Sequence, residues 1–92
     1  MAGPRFVADP PEAARTVALE TLTAFYHAPS GTTHILAPPA PQILEALAGR
    51  PGDAEEVLAR IGERFELASD DAPAAIAARL AELEAAGLVR RV

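Results

Sequence analysis

The chain has no cysteine, which excludes a disulfide scaffold and any thiolate metal site. It also has no long apolar run: nothing approaches the ~18 residues that a membrane-spanning helix requires. The opening Met-Ala-Gly-Pro-Arg lacks the apolar stretch of a secretory signal. These absences lead to the expectation of a soluble cytoplasmic protein with no membrane partner. Lysine is missing as well. The basic residues are Arg5, Arg15, Arg50, Arg60, Arg64, Arg79, Arg90 and Arg91, dispersed through a chain of net charge −5. An acidic chain with scattered cations repels a phosphate backbone. Aromatic residues are few, and much of the apolar half of the composition is alanine. The core must therefore come mostly from Val, Ile and Leu, helped by Phe6, Phe25, Tyr26 and Phe65. The 92 residues suffice for one domain with a modest core.

What is present is organised around residues 24–36. Two short apolar runs, 23–27 and 32–36, flank the turn cluster Pro29-Ser30-Gly31. Pro29 presets the backbone angle of a type I turn, and Gly31 can adopt the positive φ that closes it into antiparallel strands. The implied register sets His27 opposite Thr32, Phe25 opposite His34 and Thr23 opposite Leu36. Ala24 and Tyr26 then share the other face with Thr33 and Ile35. Both faces carry large apolar groups, so the alternation does not say which is buried. Upstream, Val17 and Leu19 alternate as in a half-buried strand over residues 16–20, which makes a three-stranded meander. Residues 1–14, with Pro4, Pro10 and Pro11, are expected as a flexible arm that inserts Phe6 over one end of the core. The domain proper is residues 15–92.

Helices follow the sheet. Pro41 suits a first helical position, and Ile43, Leu44 and Leu47 form a short apolar stripe that ends at Gly49 and the Arg50-Pro51-Gly52 turn. Asp53 and Glu56 have the spacing of a capping box, and Val57, Ile61 and Phe65 line one face of a second helix. Ser69-Asp70-Asp71 precede a third helix with Pro73 in its first turn. Ile76, Leu80 and Leu83 line it, and Gly87-Leu88 have the pattern of a Schellman stop. The fold class is thus α+β: a three-stranded antiparallel β-meander followed by three helices, a winged-helix-like plan.

No constellation for catalysis stands out. Ser30 and Ser69 occupy turn and cap positions, and the glycines are not grouped as a phosphate cradle. The histidines, His27 and His34, fall on one sheet face without further ligands, so no metal or other cofactor is expected and they are read as surface or rim residues. A DNA-reading third helix would need several cationic or amide side chains, but it offers Arg79 against Asp71, Glu82 and Glu84. Its other feature is a coat of alanine. Small side chains let a second backbone approach. If this helix flanks the strand at 32–37, the two frame a groove whose wall is an open sheet edge, suited to an added peptide strand. The same edge could also pair with a second copy, giving a homodimer.

The order of Ser30-Gly31-Thr32-Thr33-His34-Ile35-Leu36, Ile43-Leu44-Glu45-Ala46-Leu47, Glu55-Glu56-Val57-Leu58 with Arg64-Phe65, and Leu80-Ala81-Glu82-Leu83-Glu84-Ala85-Ala86-Gly87-Leu88 resembles the PqqD family. These are peptide chaperones also called RiPP recognition elements. Within that family the Ser-Gly-x-Thr-His turn is most similar to the HPr-rel-A subgroup. The resemblance covers roughly residues 15 to 89. It implies a non-catalytic domain that binds the leader of a ribosomally made precursor peptide and presents it to a modifying enzyme, such as a radical-SAM maturase or a kinase-related protein. It implies that the leader lies along Thr33, His34, Ile35, Leu36 and Ala37 and packs on Ala75, Ile76, Arg79 and Leu80. One departure is the run Ala37-Pro38-Pro39-Ala40-Pro41. Prolines donate no backbone hydrogen bond, so the usable edge should stop at Ala37.

Overall fold

A computed structural model describes residues 3–62 and 72–92. Strand β1 (Phe6–Ala8) leads through a 3-10 turn (Pro11–Ala13) to β2 (Ala14–Leu19), β3 (Leu22–His27) and β4 (Thr32–Leu36). Helices α1 (Ala40–Leu47), α2 (Ala54–Gly62) and α3 (Ala72–Ala85) follow, and β5 (Val89–Arg91) closes the chain. The meander β2-β3-β4 and the three helices behind it are the α+β arrangement the sequence predicts. The hairpin register is also as read, with His27 against Thr32, Phe25 against His34 and Thr23 against Leu36. Gly31 takes φ +69° to close it.

The two ends of the chain add a second sheet. β1 pairs antiparallel with β5, Phe6 against Arg91 and Ala8 against Val89. The stretch expected as an arm therefore carries a strand and a 3-10 turn. Its other edge is also occupied: Phe6 exchanges backbone hydrogen bonds with Gly52 in both directions, and Gly49 donates to Ala8. All three β1 residues are buried. The reason lies in Phe6 and Ala8, which pack into the cluster built by Ile43, Leu47, Val57, Ile61, Ile76 and Leu80. Short period-2 strands at a terminus give too brief a pattern to be distinguished from a covering loop.

Helix ends follow local chemistry. Asp53 Oδ1 accepts from the Glu56 amide at 2.8 Å while Glu56 Oε1 accepts from the Asp53 amide at 3.2 Å, a reciprocal capping box. Leu88 N–H reaches the Leu83 carbonyl at 2.9 Å and Gly87 N–H the Glu84 carbonyl at 3.0 Å, with Gly87 at φ +80°, which completes the Schellman stop. Between α1 and α2, Arg60 donates to the carbonyls of Ala46, Arg50 and Pro51, each at 2.9 Å. The guanidinium thereby satisfies a turn whose carbonyls have no helical partners. Phe65 and Ser69-Asp70-Asp71 lie outside the described residues.

The helices cover one face of the meander. Phe25 and Leu36 pack against the core from that side. Tyr26, one residue out of phase with Phe25, points the other way and is exposed, so it does not join the core as its type had suggested. The outward face carries Val17, Leu19, Leu22, Tyr26 and Ile35 in solvent-exposed positions.

Candidate functional site

β4 is an edge strand. One side pairs with β3; no described strand pairs with the other. In particular β1, the strand nearest the N-terminus, is engaged with β5 and residues 48–52 and leaves the β4 edge clear. A groove of about 320 Å³ runs beside that edge. His34, Ile35, Leu36, Ala37 and Pro38 form one wall, and Arg79, Glu82, Leu83 and Ala86 of α3 the other. The helical side is a stripe at i, i+3, i+4 and i+7, the spacing of one helix face. The strand ends where the prolines begin: the Ala37 carbonyl already accepts from Ala40 N–H at 2.9 Å.

Among the residues singled out from sequence, His34, Ile35, Leu36, Ala37 and Arg79 come together around this groove. Thr33 is exposed on the face opposite to the core, in register with Tyr26. Ala75 is exposed and does not line the groove. Ile76 and Leu80 belong elsewhere: each is 1% exposed and packed in the core, facing α1 and α2. Leu83, 4% exposed and in the same core cluster, also lines the groove. Glu82 and Ala86 line it with Arg79, and the spacing from Arg79 could have found them. Arg79 is itself engaged: Nη2 donates to Glu82 Oε1 at 3.1 Å, and Nε lies 2.6 Å from Oε2. Both side chains are largely exposed, so the pair adds little to stability.

A chain of polar groups lies on the core side of the hairpin. His27 is 6% exposed, not a rim residue as its type suggested. Its Nε2 is 2.7 Å from Asp9 Oδ2 and its Nδ1 2.8 Å from Ser30 Oγ. Ser30 Oγ is 2.7 Å from Thr32 Oγ1, which is 3.0 Å from His34 Nε2. Asp9 also accepts from Arg90 Nη1 at 3.3 Å. The hydrogen bond from His27 holds the Asp9 carboxyl below its ordinary range, with Arg90 adding to the effect and partial burial opposing it.

Asp9, His27 and Ser30 have the residue types of a nucleophilic triad, which sequence spacing did not reveal. Ser30 Oγ, however, is also bound to Thr32 and sits in an exposed hairpin turn. The cavity of about 460 Å³ beneath β2, lined by Asp9, His27, Gln42, Leu44 and Glu45, does not include Ser30. A substrate held there would not meet the hydroxyl, so the geometry supports a structural relay over acyl transfer. Among the described residues no group of three or more His, Asp or Glu is placed to hold a metal ion. None of the described helices is long and apolar enough to cross a membrane.

Compared with known families, the chain matches the model described as Coenzyme PQQ synthesis protein D (PqqD) over residues 15–89. No curated protein and no solved structure matches it.

Proposed function

Because the chain belongs to the PqqD family, we propose that it is a non-catalytic peptide-recognition domain that takes the leader of a ribosomally made precursor as an added β-strand. The observation that carries this reading is the unpaired β4 edge with the α3 stripe beside it. Backbone pairing along residues 33–37 supplies affinity, and alternate ligand side chains drop into the groove against Leu83 and Ala86. The domain then hands the core of the precursor to a modifying enzyme, of the radical-SAM or kinase-related kind.

The α3 surface argues against a nucleic-acid role. Arg79 is paired with Glu82, and Glu84 with Arg91, which leaves little positive field on the described part of that helix. Titration of the domain with the leader of a precursor encoded beside its gene, and with duplex DNA, at low and at high salt tests this. Peptide binding that changes little with salt is expected. DNA binding that weakens steeply as salt rises, without peptide binding, would overturn the reading. Sedimentation of the free domain shows whether a second copy occupies the edge instead.

A further inference from the structure

We propose that His34 selects a polar group of the ligand in the β4–α3 groove, and that the hydrogen-bonding character of its free nitrogen is fixed from His27 through Ser30 and Thr32. This rests on the peptide-binding reading above and goes beyond it, since it names what the groove prefers.

The argument is a proton count along contacts of 2.7–3.0 Å. Asp9, an ionised carboxylate, only accepts, so His27 carries its proton on Nε2 and donates it there. A neutral His27 then has a bare Nδ1, which accepts from the Ser30 hydroxyl. Ser30, having spent its proton, accepts from the Thr32 hydroxyl. Thr32, having spent its own, accepts from His34 Nε2–H. A neutral His34 thus keeps its proton on Nε2 and holds Nδ1 as an acceptor. No described residue bonds that nitrogen, and His34 lines the groove. For neutral imidazoles each step follows from the one before, because every hydroxyl has a single proton and the other acceptor near Ser30 Oγ, the His27 carbonyl, lies farther off at 3.4 Å.

The ligand class follows. With His34 neutral the groove prefers a side chain with a hydrogen-bond donor (Ser, Thr, Asn, Gln or Lys) at the position facing His34. The charged groups around these rings are few. Asp9, with Arg90 behind it, and Glu45 from α1 share the His27 cavity, and the Arg79–Glu82 pair of α3 faces His34.

Two measurements test the proposal. Nitrogen-15 NMR of the imidazoles in the full chain, without ligand, should show the neutral form of both histidines as the Nε2–H tautomer. Thr32→Val, which keeps the β-branched shape, should leave His27 unchanged and give His34 a mixture of tautomers. A neutral His34 carrying its proton on Nδ1 in the wild type, or a His34 spectrum indifferent to Thr32→Val, would overturn the relay.

The second is selection of extended peptides from a random ten-residue phage library at neutral pH. It should enrich a donor side chain at one fixed position, and His34→Phe should abolish that requirement. The enriched peptide should bind about 5- to 10-fold more weakly to His34→Phe. Enrichment without a donor requirement would overturn the selector role alone. Failure to enrich any peptide would overturn the binding reading and the selector role together, while the tautomers still judge the relay.

Discussion

The three-residue β1 and the five-residue β4 have opposite fates. β1 is paired along both edges, by β5 and by residues 48–52, and every one of its side chains is buried. β4 is paired along one edge, and its residues are exposed except His34 and Leu36, which are half-buried. Backbone polar groups with no protein partner need water or a visiting chain. The domain has invested its internal pairing in the strand that carries Phe6 and Ala8 into the core. The strand beside α3 is left with an unused ladder. The comparison teaches that stability and recognition are carried by different sheets of one small fold, so each can be altered with limited damage to the other.

The sharpest way to break that separation is to cut the sealed side. Leu47, fully buried at 0% exposure, should lose about 2–5 kcal/mol of stability on Leu47→Ala, measured by urea unfolding. A smaller cut is Arg60→Met, which strands the carbonyls of Ala46, Arg50 and Pro51 and should cost about 1.5–3 kcal/mol in the same assay.

Gly87→Ala and Gly31→Ala sharpen the comparison from another side. One glycine closes α3 and the other closes the β3–β4 hairpin, at φ +80° and +69°, and a Cβ would meet no neighbour at either. Both should cost a similar ~1–2 kcal/mol, because the penalty is local to the left-handed backbone and blind to which region holds it. Asp9 links the two sheets through His27 and Arg90. Its carboxyl is held below the ordinary value of 3.8, so its stabilisation is present above that value and lost as pH falls through the lower, folded one. Acid unfolding of the wild type below about pH 4 should therefore be steeper than that of Asp9→Asn. The smallest effect is expected at Ile35→Ala. This residue is 58% exposed, so stability should move by no more than about 0.5 kcal/mol.

Much of this division was legible in the sequence, and the failures have physical causes. The hairpin register follows from Pro29 and Gly31 together with two runs of equal length. The α3 stop follows from Gly87 and Leu88, and the α2 start from Asp53 and Glu56. These are local signals set by backbone geometry. β1 and β5 were not legible as a pair, because three-residue strands at opposite ends of a chain meet only through tertiary packing. The buried state of His27 depended on Asp9, eighteen residues away, and on no spacing rule. On α3 the apolar stripe Ile76, Leu80 and Leu83 was legible and is buried in the core, whereas Glu82 and Ala86 beside the groove carry no apolar periodic signal that marks them among the alanines.

The β2 edge offers the most direct control, since it too is an outer strand with a cavity beneath it. Amide hydrogen exchange measured residue by residue, with and without a leader peptide, compares the two edges in one experiment. The account predicts slower exchange at residues 33–36 on β4 and along the facing turns of α3, with β2 unchanged. Protection that appears on β2 and spares β4 would contradict it.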